Sequence, residues 1–187
     1  MPAADVMAKM DAAQAVMCAH ALNNAGAVGD GIEALPGVPE LLRALSARDD
    51  VVVALCTGNL QPIGWLKMAA LELKSYFTTG RDGEPLGGFG SDFCSGDTSG
   101  DMSADRGELV RCARAKAEAA GFEIREHFHI GDTPMDMKAA GLAGARALGV
   151  CTGIFAREQL APHQGAGGQV LDGLEDTAAA LAAFGLA

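Results

Sequence analysis

Apolar positions recur along the chain with two different periods, which predict helices and buried strands in turn. Across residues 4–25, apolar side chains return every three or four positions, which is the spacing of an amphipathic helix. A short helix follows, with Leu41 and Leu45 on one face. Residues 51–56 read VVVALC, a continuous apolar run that is typical of a strand buried on both faces of a parallel sheet.

The rest of the chain repeats the order of strand and then helix. Further helices are predicted to begin at Pro62, Asp105, Thr133 and Leu174. Further short strands are predicted at residues 76–79, 127–131, 145–151 and 169–172. Residues 80–104 are rich in Gly, Asp and Ser and predict a long irregular loop. This alternation predicts an α/β fold with a doubly wound parallel sheet, whose functional site lies at the carboxyl ends of the strands.

Composition and charge narrow the class of protein. With 187 residues, 49% of them hydrophobic, the chain can bury one core but is too short for two ordinary domains. The net charge of −10 argues against binding to nucleic acid or to an anionic membrane surface, because both would be repelled. The five cysteines form no Cys-x-x-Cys pair, so neither a zinc cage nor a disulfide framework is predicted. No apolar run reaches the roughly 20 residues that span a bilayer. We therefore expect a cytoplasmic protein, with organellar targeting left open if the N-terminus is incomplete.

Polar residues follow the strand predicted at residues 51–56. Thr57 comes directly after it, and Gly58 and Asn59 come next. A threonine hydroxyl and two neighbouring backbone amides can hold an oxygen of a phosphoryl group. A threonine after a strand is more often a turn or a helix cap, so this pattern alone leaves both interpretations open.

Two acidic residues follow the strand predicted at residues 127–131. Asp132 comes directly after it, and Asp136 lies in the first turn of the next predicted helix. Such a pair suits Mg²⁺, which takes one or two carboxylates together with waters and a substrate phosphate. The same residues could be an N-cap and a first-turn acid favoured by the helix dipole. Arg106 could offset the anionic charge, although alone it predicts a solvated helix residue.

Three segments together resemble the haloacid-dehalogenase superfamily. They are ALCTGN at residues 54–59, FHIGDTPMD at residues 128–136 and AAGLAGARALGVCTG at residues 139–153. The branch that the chain resembles most is the phosphoglycolate-phosphatase-like group. This resemblance implies a Rossmann-like sheet and a Mg²⁺-dependent hydrolase that acts on a small phosphorylated metabolite. It also implies that Thr57 hydrogen-bonds the transferring phosphoryl group, that Asp132 ligates Mg²⁺, and that Asp136 supports the metal site and the basic residue of the third motif.

The third motif departs from the family pattern, which usually has a lysine. Arg106 is the best placed basic residue here, and Lys116, deeper in the same predicted helix, is the alternative. Arginine keeps the charge but presents a planar fork of donors instead of a point charge, so the exchange is not neutral.

A larger departure concerns the first motif. The family attacks phosphorus with the first Asp of an Asp-x-Asp-x-Thr sequence, and no such sequence precedes Thr57. Residues 1–35 are therefore interpreted as the remnant of a helical cap with its linker, and residues 36–187 as the α/β core. In the family's sheet the missing strand lies between the strand ending at Thr57 and the one ending at Asp132. We expect these two strands to lack a ladder partner, and we favour an incomplete gene model as the explanation.

Other functions stay open at this point. A non-catalytic phosphate- or partner-binding module could have kept Thr57, Asp132 and Asp136 after losing the nucleophile. A receiver-like domain phosphorylated on Asp132 is less favoured, because no acidic pair ends an earlier strand. His127 and His129 share one face of a predicted strand, where packed histidines are more common than metal ligands. Whether the chain is an active enzyme, and its oligomeric state, are left undecided by the sequence.

Overall fold

Parallel strands flanked by helices form the centre of the structure. The computed structural model describes residues 8–96 and 100–186. The strands are β1 (Leu55–Thr57), β2 (Gly87–Phe89), β3 (Phe128–Gly131), β4 (Arg146–Val150) and β5 (Gln169–Leu171). The helices are α1 (Met10–Asn23), α2 (Val38–Ser46), α3 (Gln61–Ala70), α4 (Ser103–Ala119), α5 (Pro134–Leu142), α6 (Arg157–Leu160) and α7 (Thr177–Ala183). Short 3₁₀ turns lie at Ala25–Ala27, Lys74–Tyr76 and Ala161–His163.

Every strand pair in the described part of the chain is parallel, which confirms the predicted α/β fold. Strand β1 pairs with β2, and β4 lies between β3 and β5. Four of the five residues of β4 are buried, as its apolar sequence requires for a strand covered on both faces. Within each sheet, the carboxyl ends of the strands therefore lie at the same edge.

The hydrogen-bonded ladder is interrupted between β1 and β3. Within residues 8–96 and 100–186, β1 belongs to a two-stranded sheet and β3 to a separate three-stranded sheet. This agrees with the expectation that the strand ending at Thr57 and the strand ending at Asp132 lack a ladder partner between them. Both strands are only half-buried.

Helices cover both faces of the strands, as a doubly wound arrangement requires. On one face Met137 and Ala140 of α5 pack with Ala147 of β4, and α4 packs beside α5. On the other face Leu41 of α2 and Trp65 of α3 pack in one cluster with residues of both sheets. Successive side chains of β1 point to opposite faces of the sheet and therefore toward different helical layers.

The prediction for residues 76–104 was wrong in part. The strand predicted at residues 76–79 is replaced by the 3₁₀ turn Lys74–Tyr76 and a single bridge between Thr79 and Pro85. The strand lies instead at β2, within the stretch predicted to be an irregular loop. Its Gly-Gly-Phe sequence carries no apolar run. Gly88 is required because α4 approaches closely, since a Cβ at Gly88 would lie 1.9 Å from the Leu109 carbonyl oxygen.

The start of α4 was also predicted two residues late. The helix begins at Ser103, so Asp105 lies inside its first turn. Asp105 is buried, and its carboxylate accepts a hydrogen bond of 3.0 Å from the Ser95 amide. The side chain thus ties the preceding loop to the helix instead of capping it.

The N-terminal helix is described from Met10 onward, and residues 4–7 of the predicted helix lie outside the described residues. Ala21 is buried, whereas Val16, Met17 and Leu22 are exposed although apolar. Helix α1 packs against α3 over only part of its apolar surface. The division into residues 1–35 and 36–187 stays a prediction. None of the helices in the described ranges is both long and apolar enough to cross a bilayer.

Candidate functional site

Thr57, at the carboxyl end of β1, has its hydroxyl oxygen fixed by Asn59. The Asn59 backbone amide and side-chain Nδ2 donate to Thr57 Oγ1 at 3.2 and 2.9 Å. A hydroxyl has two acceptor sites and one O–H donor, and Asn59 uses both acceptor sites. The O–H of Thr57 is therefore left to donate, which suits an anionic oxygen as its partner.

Lys67 of α3 extends this chain of contacts. Its Nζ donates to Asn59 Oδ1 at 3.2 Å, which fixes the amide so that Nδ2 points toward Thr57. The Asn59 amide that was predicted to face a phosphoryl oxygen is thus already used within the protein. Gly58 is exposed at the same turn.

Asp136, in the first turn of α5, is a buried carboxylate with both oxygens engaged. Its Oδ2 accepts from the Thr133 hydroxyl at 2.7 Å, and its backbone amide donates to Thr133 Oγ1 at 3.1 Å. Thr133 is therefore the N-cap of α5. Arg106 Nη1 contacts the other oxygen, Asp136 Oδ1. The Asp136 side chain is 8% exposed, whereas the Arg106 side chain is 39% exposed and reaches the surface.

Asp132 lies between the end of β3 and the start of α5. Its carboxylate packs against the loop after β4, since a Cβ at Gly153 would lie 2.0 Å from Asp132 Oδ2. Asp136 packs just as closely against Gly131, because a Cβ added at Gly131 would lie 2.2 Å from the Asp136 Cβ. The two glycines of the segments GDTPMD and GVCTG therefore make room for the two carboxylates.

Two partly buried titratable side chains lie beside the Arg106–Asp136 pair. Burial lowers the pKa of His129 to about 4, and the nearby Asp136 carboxylate opposes part of this effect. Burial, with a further contribution from Asp136, raises the pKa of the Cys56 thiol to about 12. Both side chains are therefore neutral near pH 7, and Arg106 and Asp136 are the charges of this cluster.

The structure brings some of the predicted site residues into contact and leaves others apart. Arg106 and Asp136 form an ion pair. Lys116, the alternative for the third motif, instead contacts Asp92 Oδ2 at 2.6 Å and the Gly87 carbonyl at 3.0 Å. Arg106 is thus the candidate that lies beside Asp136. No hydrogen bond among the described residues links Thr57 to this pair.

The carboxylates of the site fit a Mg²⁺ ion only in part. No hydrogen bond or ion pair engages the Asp132 carboxylate in the described part of the protein, whereas Asp136 holds Arg106 and Thr133. The described ranges contain no group of three His, Cys, Asp or Glu side chains that could hold a metal. One available carboxylate fits Mg²⁺ only together with waters and a bound phosphate. The role of Asp136 as a direct ligand stays a prediction.

A cavity of about 430 Å³ lies elsewhere, between α1 and α3. Leu22, Trp65 and Lys74 are among its lining residues, and none of the predicted site residues is. Its largely apolar lining does not suit a phosphate, so we place the candidate site at the strand ends and not in this cavity.

Three residues of the site were missed or undervalued from the sequence. Thr133 was predicted only as the start of a helix and His129 as a packed histidine, and no role was predicted for Lys67. A signal existed for Thr133, because Thr-Pro with an acid three residues on is an N-cap pattern. Lys67 and His129 carry no such signal, since their partners come from other turns of the chain.

Comparisons with known proteins agree with this architecture. A family model described as haloacid dehalogenase-like hydrolase matches residues 1–141, and one described as HAD-hydrolase-like matches residues 108–177. No curated protein matched the sequence. Among solved structures, the chain is similar to one from Thermotoga maritima described as "putative beta-phosphoglucomutase", with 19% identity and a TM-score of 0.56.

That structural match shows a shared fold. It covers 80% of this chain and 60% of the matched chain, so the protein described here spans about three fifths of the length of that structure. The first family model covers three quarters of the sequence and includes Thr57, Arg106, Asp132 and Asp136. The chain therefore belongs to the haloacid dehalogenase-like hydrolase family.

Proposed function

We propose that the protein is a magnesium-dependent phosphomonoesterase of this family, acting on a small phosphorylated metabolite of phosphoglycolate type. The sequence given lacks the Asp-x-Asp-x-Thr nucleophile motif, and Thr57, Asp132 and Arg106 are the residues of this chain that would hold the phosphoryl group and the metal. Family membership supports the reaction class, and the substrate class follows from the resemblance alone.

The observation that carries the proposal is the free O–H donor of Thr57. Both of its acceptor sites are used by Asn59, which Lys67 fixes in turn. A donor held in this way at the end of a parallel strand is suited to an oxygen of a phosphoryl group. The charge of Arg106, which is partly exposed, lies at the end of the neighbouring sheet beside Asp136.

The charged residues of the site would have separate roles in holding the metal and the phosphate. Asp132 would hold Mg²⁺, which supplies positive charge to the phosphate oxygens when bound. Arg106 would offer two further donors to the phosphate, because its guanidinium is planar and forked. Before phosphate binds, Asp136 would hold Arg106 through their ion pair, and Thr133 would keep Asp136 in place.

The test measures binding and turnover in the same preparation. Binding of inorganic phosphate in the presence of Mg²⁺ is followed by titration calorimetry, and turnover is followed with p-nitrophenyl phosphate. Thr57→Val keeps the side-chain shape but removes the donor. We expect it to weaken phosphate binding by roughly 10- to 100-fold, the range for a hydrogen bond to a charged group.

Two controls make this test specific. Thr57→Ser keeps the hydroxyl and should bind phosphate nearly as the wild type does. Asp132→Ala should abolish any Mg²⁺-dependent turnover while the protein stays folded. Equal phosphate affinity in the wild type and Thr57→Val, or turnover that survives Asp132→Ala, would contradict the proposal.

A non-catalytic phosphate-binding module is the second candidate function. It is favoured by the engagement of both Asp136 oxygens within the protein, and by the lack of a third acidic ligand among the described residues. Phosphate binding that depends on Thr57 without any turnover would select this candidate over the phosphatase.

A further inference from the structure

Two potential hydrogen-bond donors lie near Asp136 Oδ1. Arg106, from α4, makes the contact in this structure. His129, from β3, places its Nε2 4.0 Å from the same oxygen, which is too long for a hydrogen bond. The two donors come from different elements, so one can move without displacing the other.

Arg106 is the less constrained of the two donors. Its side chain is 39% exposed, and no second hydrogen bond of its guanidinium is found in the described part of the chain. A long, partly exposed side chain on a surface helix can exchange rotamers at little cost. If Arg106 turned away, Asp136 Oδ1 would be left as a buried, unpaired charge.

His129 has an unused donor site at the right place. Its side chain is 10% exposed, and its Nε2 has no hydrogen-bond partner although the atom is buried. Burial lowers the pKa of His129 to about 4, so the ring is neutral and one ring nitrogen carries a proton. Buried polar atoms without a partner are rare, which calls for a physical explanation at this position.

We propose that His129 is a positioning residue that donates from Nε2 to Asp136 Oδ1 when Arg106 leaves that oxygen. The approach needs a movement of about 1 Å, which small side-chain rotations supply. The exchange keeps Asp136, and with it the N-terminus of α5 beside Asp132, in place while Arg106 is engaged elsewhere. The identification of phosphate as the ligand that draws Arg106 away from Asp136 rests on the proposed function.

The exchange itself is tested without any ligand by a double-mutant cycle. The free energy of unfolding in urea is measured for the wild type, Arg106→Ala, His129→Phe and the double variant. We expect Arg106→Ala to lower the folding equilibrium constant at least about tenfold more in the His129→Phe background than in the wild type, because no donor then remains for Asp136 Oδ1.

Matched variants separate this role from simple packing. In His129→Gln the amide nitrogen reaches the position of Nε2, so the effect of Arg106→Ala should stay as in the wild type. In His129→Asn the amide reaches only the position of Nδ1, so Arg106→Ala should again lower the folding equilibrium constant more than it does in the wild type. This variant keeps the test available if His129→Phe fails to fold. His127→Phe, two residues earlier on the same face, should leave the effect of Arg106→Ala unchanged. Additive effects of Arg106→Ala and both His129→Phe and His129→Asn overturn the proposal.

Nitrogen-15 NMR of the histidine rings supplies the spectroscopic measurement. In Arg106→Ala we expect the His129 ring to adopt the Nε2–H tautomer with a slowly exchanging proton, and an unchanged ring signal overturns the exchange. The same signal is then sought in the wild type with saturating inorganic phosphate and Mg²⁺. A change in Arg106→Ala with none on adding phosphate supports the exchange but contradicts phosphate as the ligand that draws Arg106 away.

Discussion

At the scale of single residues, Thr57 and Asp136 are each held by hydrogen bonds from neighbouring side chains, some neutral and some charged. Thr57 keeps its donor because Asn59 occupies its acceptor sites, and Asp136 stays buried because Thr133 and Arg106 satisfy its oxygens. Cys56 lies beside this cluster and is uncharged, since a thiolate there would be both buried and next to a carboxylate. Neutrality of the thiol is thus part of what makes the cluster stable.

This neutrality predicts a dependence of stability on pH. The folded protein holds the Cys56 proton up to a pKa of about 12, whereas the unfolded chain releases it near the ordinary value of 9.0. The stabilisation is complete below pH 9 and is lost as the pH rises toward 12, because the unfolded state binds fewer protons in that window. Between pH 8 and pH 10 the loss should be about 1.4 kcal/mol.

Comparison with a variant that cannot titrate isolates this contribution. Cys56→Ala removes the thiol, so its unfolding free energy should fall less than that of the wild type between pH 8 and pH 10. Urea unfolding at both pH values gives the two differences. Equal falls in the two proteins would mean that Cys56 is not the buried neutral thiol described here.

At the scale of elements, β2 is defined by close packing and not by its own sequence pattern. The strand is only three residues long, and all three are buried against β1 and α4. Gly88 allows this approach, since a Cβ there would lie 1.9 Å from the Leu109 carbonyl oxygen and 2.8 Å from its carbon. Both contact atoms belong to the backbone of α4, which cannot move aside as a flexible side chain can.

Gly88→Ala is therefore expected to destabilise the protein by about 1–3 kcal/mol, the usual range for overpacking in a core. Gly141→Ala is the matched control, because nothing lies within 4 Å of the added Cβ and the residue is inside α5. The control should be neutral or should stabilise by up to about 1 kcal/mol through helix propensity. Chemical unfolding of both variants decides the point, and equal stability of Gly88→Ala and the wild type would contradict the close approach.

At the scale of the whole molecule, the site residues belong to two sheets that share no ladder in the described residues. On β1, Leu55 and Thr57 bond to β2, so the peptide groups of Cys56 point away from that sheet. On β3, the His127 carbonyl accepts from Arg146, so the peptide groups of Ile130 point away from β4. In contrast, β4 is paired on both sides.

Hydrogen exchange should report this difference directly. We expect the amides of Cys56 and Ile130 to exchange roughly 100-fold faster than those of Leu148 and Gly149, because only the latter lie in ladders. Native-state exchange followed by NMR measures all four amides in one experiment. Protection of Cys56 and Ile130 equal to that of β4 would mean that a further strand fills the space between β1 and β3.

The sequence alone was sufficient for the parallel α/β architecture and for the family. The apolar run at residues 51–56 predicted a strand, although β1 is confined to Leu55–Thr57 and is only half-buried, whereas β4 is buried as predicted. The spacing of the strands by helices leaves few topologies. The segments around Thr57 and Asp132 carry their own turn and cap chemistry, so the candidate positions at the strand ends could also be predicted. The position of Arg106 as the third-motif candidate followed from order along the chain.

Only the tertiary structure decided which of these groups meet. Strand β2 has no hydrophobic period of its own, because Gly88 is required by the close approach of the α4 backbone, which is distant in sequence. The contacts of His129 and Lys67 also depend on the tertiary structure. His129 lies near Asp136 because of the turn between β3 and α5, and Lys67 reaches Asn59 from α3. Local patterns record how each segment is buried, whereas contacts between segments depend on how the layers pack, and that information is spread over the whole chain.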